Sequence, residues 1–106
     1  LHHGKGEMII MAKGKAEANQ FYRAALNIFS GIIQEKKYNN NDLAVNLYQK
    51  GINELSVFGA YGNEYAAYGY FGLSRIGKES ADNHERRMNH RKAMDLVDFK
   101  KIKLDD

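Results

Sequence analysis

The sequence predicts an all-α domain of four antiparallel helices, or five if the stretch before Ala16 stands alone. Three observations carry that prediction. The 106 residues contain no proline, where average usage would supply about five, and proline is the residue that breaks helix interiors. Apolar residues recur at three- and four-residue steps over stretches too long for strands. The interruptions are short and rich in Asn, Asp and Gly, so consecutive helices should fold back as hairpins.

The first helix is expected from Ala16 to about Lys37, with Ala18, Phe21, Ala25, Phe29, Ile32 and Ile33 as its apolar stripe. Glu7–Lys15 reads either as its continuation or as a short helix of its own. Tyr38-Asn39-Asn40-Asn41-Asp42 breaks the pattern, because Asn and Asp side chains bond nearby backbone donors and favour turns and N-caps. The second helix carries Ala44, Leu47, Tyr48, Gly51, Ile52, Leu55 and Phe58, and Gly59 is its expected stop, since glycine tolerates the left-handed conformation. Asn63 opens the third, with Glu64 near the positive end of the dipole. Its stripe is Tyr65, Tyr68, Gly69, Gly72, Leu73 and Ile76, flanked by Tyr70 and Phe71, which leaves only Asn63, Ala67 and Ser74 to face solvent. Asp82 and Glu85 have capping-box spacing for a fourth helix with Met88, Ala93, Met94, Leu96 and Val97, running on towards Ile102.

Ten glycines sit uneasily with a helical chain, because each costs a helix interior about 1 kcal/mol relative to alanine. Gly59, Gly62 and Gly77 fall at expected helix ends. Gly31, Gly51, Gly69 and Gly72 fall inside periodic stretches, where glycine signals the close approach of a neighbouring helix backbone.

Composition removes several classes of function. With no cysteine in the chain, disulfide scaffolds and thiolate-based metal or nucleophile chemistry are excluded. No apolar run approaches the roughly 20 residues a membrane-spanning helix needs, so no membrane partner is expected. The net charge of +3 is spread along the chain and speaks to solubility more than to a partner. The length fits a single domain, taken as 7–104. Leu1-His2-His3-Gly4 resembles a cloning remnant or an arbitrary cut, so residues 1–6 are set aside as an appended or flexible start. The missing initial methionine fits one piece of a longer protein.

Offsetting the sequence against itself by 42 residues aligns the helices. Ala24, Ala25 and Phe29 fall on Ala66, Ala67 and Phe71, Asn41 falls on Asn83, and Gly51 falls on Ala93. A helical hairpin repeated at this period points to a solenoid-type architecture. The residues Ala44, Tyr48 and Gly51 (small, aromatic four on, small three further) and Tyr68, Phe71 and Gly72 in the next unit resemble the tetratricopeptide repeat family. The second unit places Arg86, His90 and Ala93 at the first set of positions. The resemblance implies two stacked helical hairpins, about 16–58 and about 62–98, acting as a protein-binding scaffold. Leu47–Ile52 is also similar to a helix of the microtubule-interacting-and-trafficking domain, a three-helix bundle against which a fourth helix speaks.

No catalytic constellation emerges, so a non-enzymatic role without cofactors is expected. His84 and His90 stand six positions apart, about 120° around a helix, and do not converge on one ion. The glycines follow no strand and make no phosphate loop, and Asp95 with Asp98 reads as a solvated face. The expected partner is a protein or peptide, with self-association or the remainder of a longer chain as further options. Tyr61, Tyr70, Arg86, Arg87 and Arg91 are the candidate contact residues, because surface aromatics and arginine are enriched at interfaces. The run Arg86–Lys92 could instead touch phosphates, making weak nucleic-acid binding the lesser reading. An accessory packing domain of a larger enzyme is the remaining alternative.

Overall fold

A computed structural model of the protein describes residues 5–76 and 83–97, with the side chains of 5–13 and 15 outside that description. The described residues are helical throughout, without a strand: α1 is Lys5–Lys36, α2 Asn41–Leu55, α3 Asn63–Arg75 and α4 Asn83–Leu96, with a 3₁₀ segment, Ser56–Gly62, between α2 and α3. No helix among them is long and apolar enough to cross a membrane.

The stretch before Ala16 belongs to α1, which is broken at Gly14 by a backbone of φ 82° and ψ −178°. Only glycine adopts that conformation readily. Lys5 and Gly6, which the sequence assigns to an appended start, lie inside the helix. Two asparagines make the turn to α2. Asn39 takes the left-handed conformation at φ 55°, and the Asn40 side chain accepts a hydrogen bond from the Leu43 N–H at 3.2 Å as N-cap.

The end of α2 differs from the expected stop at Gly59. The α-helix finishes at Leu55, and Ser56 Oγ donates to the Asn53 carbonyl at 2.6 Å, tightening the chain into 3₁₀ turns. Gly59 does adopt φ 59°, but it bends this shorter segment rather than capping α2. Phe58 remains a core residue at 6% exposure. Gly77, the Asp82–Glu85 capping box and the extension towards Ile102 fall wholly or partly outside the described residues.

Alanine and glycine let α1, α2 and α3 approach one another closely. In one layer Tyr48 of α2 lies between Gly31 of α1 and Gly72 of α3. A β-carbon on Gly31 would sit 2.9 Å from the tyrosine ring, and one on Gly72 would sit 2.8 Å from Oη and nearer still to the ring carbons. In the next layer the roles rotate. Ile28 of α1 lies between Gly51 and Gly69, where β-carbons would come within 2.6 and 2.8 Å of its Cδ1. A third layer is aromatic, with Phe21 edge-on to Phe58 at 5.1 Å and to Tyr65 at 5.9 Å between centroids. Ile28 and Tyr48 are fully buried. A neighbouring backbone comes close at Gly31 and Gly51, where β-carbons would sit 3.3 Å from the Ala44 carbonyl and 3.1 Å from the Ala24 carbonyl, whereas Gly69 and Gly72 make room for the side chains of Ile28, Ile52 and Tyr48 instead.

Expectations about exposed faces are corrected on three helices. Tyr68 of the α3 stripe is 40% exposed, and Met88 and Met94 of α4 are 42% and 41% exposed. Phe29 and Ile33 are 40% and 49% exposed, because α1 rotates Ala24, Ile28 and Gly31 inwards instead. Ala67 is completely buried, because α4 covers the side of α3 that the sequence leaves to solvent. Arg86 reaches across that contact and donates from Nε to the Ser74 carbonyl at 2.9 Å. Among the described elements α4 packs on α3 alone, and its one buried residue is Ala93.

Candidate interaction face

The residues of α1 that turn away from the core are Tyr22, Leu26, Phe29 and Ile33, at 52%, 59%, 40% and 49% exposure. Their spacing is four, three and four, which places them in one line along a helix. The helix is thus apolar on two sides. Its inner stripe is spent on α2 and α3, and its outer stripe covers nothing among the described residues. The stripe continues onto α3, where Tyr65 meets Phe29 edge-on at 5.7 Å. Tyr68, one turn further along α3, is 40% exposed. Its hydroxyl donates to Glu64 Oε2 at 3.3 Å, and the charge of Glu64 holds its pKa above the usual tyrosine range. Phe21 links this surface to the core through Phe58 and also touches Tyr22 at 6.0 Å. An aromatic path therefore runs from the core to the surface and stops on α1, with no described residue covering it.

The sequence-predicted contact residues lie elsewhere and do not converge. Tyr61 is half-buried in the 3₁₀ segment. Tyr70 carries the Lys92 ammonium 5.6 Å over its ring, and Arg86 is tied to Ser74, so both serve the docking of α4. Arg87 and Arg91 are exposed one turn apart on α4, beside His84 and Met88 in a depression of about 490 Å³. A larger groove of about 710 Å³ separates α2 from α4. Leu73 and Ile76 line it with the carboxamides of Asn46, Gln49 and Asn89.

A polar cluster also joins the three core helices. Tyr48 Oη donates to Glu35 Oε1 at 2.6 Å, and the Arg75 guanidinium donates to both Glu35 oxygens at 2.9 Å. Burial pushes the Tyr48 hydroxyl well above the usual tyrosine range, and the bond to Glu35 adds to the shift. Burial also raises the Glu35 carboxyl. The hydrogen bonds from Arg75 and Tyr48 and the Arg75 charge outweigh that and hold it below its ordinary value. The cluster ties α1, α2 and α3 together. The described residues also contain no group of three His, Cys, Asp or Glu side chains placed to hold a metal ion.

In the sequence the outer stripe of α1 is readable only as a surplus. Residues 21–33 hold more apolar positions than one helical face can use, and a single-stripe reading draws Phe29 and Ile33 into the core. Comparison with family models, with curated proteins and with solved structures finds no match to this chain.

Proposed function

We propose that this chain is a protein-binding helical module without catalytic activity, built as two stacked, tetratricopeptide-like hairpins, and that its partner lies on the outer face of α1. The observation that carries the reading is the line Tyr22, Leu26, Phe29 and Ile33, each 40–59% exposed. Contiguous exposed apolar surface of this kind marks interaction sites, since leaving it in water forgoes about 25 cal/mol per Å². Isolated surface leucines need no explanation, but four large residues in register on one helix do.

The order of contacts supports the stacked-hairpin arrangement. Between α1 and α2 they run from Gly31–Tyr48 through Ile28–Gly51 to Asn27–Glu54, so the two helices travel in opposite directions. Between α3 and α4 they run from Phe71–His90 to Ser74–Arg86, again in opposite directions. Residues that coincide at the 42-residue offset also share environments, with Ala24 and Ala66 both buried and Gly51 and Ala93 both buried.

Site-specific photo-crosslinking in the expressing cell tests the reading. A benzophenone side chain at position 29 should give one defined protein adduct, identified by mass spectrometry and lost in Leu26→Ser. The same group at exposed Asn53 of α2 should give none. No adduct at 29, or the same adducts at both positions, would defeat the proposal.

A further inference from the structure

Spacing and charge around the α1 face describe what covers it. The line from Tyr22 to Ile33 covers eleven residue steps, about 16 Å at 1.5 Å per residue. A four-three-four line of large side chains is the pattern that another helix packs against, its knobs entering the holes between these residues. An extended strand, with side chains repeating at about 6.8 Å, does not match it. The charged side chains bordering the line on α1 are basic. Arg23 and Lys36 are exposed on α1, and Lys37 is exposed just past its end, where its N–H still donates to the Ile33 carbonyl and its ammonium lies 5.4 Å over the Tyr38 ring. Helical angles place Arg23 and Lys37 on one flank and Lys36 on the other. Of the acidic groups nearby, Glu35 is held by Arg75 and Tyr48, Glu54 accepts from Asn27 Nδ2 at 2.9 Å and shares a depression with Arg23, Glu64 accepts from the Tyr68 hydroxyl at the α3 end of the face, and Glu17 falls roughly half a turn from the line.

We infer that the outer face of α1 takes an amphipathic α-helix of about three turns, with a four-three apolar seam and acidic residues flanking it. This rests on the protein-binding reading above and names its ligand. The charge pattern favours such a helix over a second copy of this chain, because pairing two α1 faces would bring Arg23, Lys36 and Lys37 of both copies to one interface with only Glu64, at the α3 end, to offset them. Opposite charges on the rim chiefly set partner choice and association rate, so the preference should be salt-sensitive.

Two synthetic helical peptides with the same leucine seam, one flanked by glutamates and one by lysines, provide the test. Binding to the full chain is measured by fluorescence anisotropy at low and high salt. The glutamate peptide should bind about ten-fold more tightly at low salt, and the gap should narrow to about two-fold at high salt. Leu26→Ser should abolish binding of both peptides. Arg23→Glu combined with Lys37→Glu should reverse the preference, an inversion that mere damage to the fold would not produce.

Equal binding of both peptides, with loss in Leu26→Ser, would overturn the acidic ligand while leaving the protein-binding face intact. Binding of neither peptide to a chain of unchanged circular dichroism would overturn the helix ligand, and the crosslinking experiment would then decide the face separately. A concentration-dependent doubling of mass in light scattering, abolished by Leu26→Ser, would replace the acidic helix with a second copy.

Discussion

Replacing Gly72 with alanine sets two effects against each other. Alanine is the better helix former by about 1 kcal/mol, so α3 taken alone should gain stability. The added β-carbon, however, would lie 2.8 Å from Tyr48 Oη and closer to the ring, whereas carbon atoms in contact settle at about 3.5–4.0 Å. The ring must move by roughly 1 Å to make room. Retreat towards α1 is limited, because the Gly31 backbone already lies against the opposite edge of the ring, so close that a β-carbon there would be 2.9 Å from it. Its hydroxyl is held by Glu35 at 2.6 Å as well. Overpacking of this kind costs about 1–3 kcal/mol, and a weakened charge-assisted hydrogen bond adds about 1 kcal/mol. After the gain in propensity, Gly72→Ala should lose about 2 kcal/mol, a sizeable part of a small domain's stability. Urea denaturation followed by circular dichroism measures this directly. In a Tyr48→Leu background the same substitution should cost less than about 1 kcal/mol, because the obstructing ring is gone. A Gly72→Ala protein as stable as its parent, or an equal cost in both backgrounds, would refute the idea that the ring is clamped between two glycines.

Four further outcomes follow from contacts described above. The native Glu35 carboxyl lies below its ordinary value, so its contribution is present above about pH 4.3 and is lost as pH falls through the lowered native value; Glu35→Gln should flatten the acid limb of a stability–pH curve. Tyr48 has the opposite sign, its contribution being full below about pH 10 and lost as pH rises from there towards the raised native value. Tyr48→Phe should therefore remove that alkaline loss while costing about 1–2 kcal/mol at neutral pH. Asn40→Ala removes the α2 cap and should cost about 1 kcal/mol by thermal or urea denaturation. Arg86→Ala removes the tie to the Ser74 carbonyl, and hydrogen exchange should show α4 amides opening about ten-fold more readily while α2 is unchanged.

Much of the helical layout was legible because its causes are local. Asn40 caps α2 by a bond spanning three residues, and Gly31, Gly51, Gly69 and Gly72 announce close approach because nothing else justifies them in helices. What each glycine accommodates was not legible. Ile28 and Tyr48 each fill a space bounded by two other helices, so the fit is a property of three segments at once. Helix rotation was hidden for a related reason. Phe21 and Tyr22, like Ile28 and Phe29, sit only about 100° apart around the helix, and apolar character alone does not say which member of each pair faces inwards. The Tyr48–Glu35–Arg75 tie joins residues 13 and 40 positions apart, beyond the reach of any local motif. The burial of Ala67 depended on where α4 would settle, a helix whose own sequence offers little apolar surface to predict it.

The alternation of bulk between helices governs how this sequence can change. Sliding α2 along α1 by one turn, about 5.4 Å, would drive Tyr48 out of the space opposite Gly31 and against larger neighbours, so the glycines act as notches that fix the axial position of three rods. Each notch needs one large side chain and two minimal ones, but the geometry does not dictate which rod supplies the large one. Divergent sequences could therefore hand the bulk from one helix to another, provided that the volume within a level is conserved and the exchange occurs on both helices together.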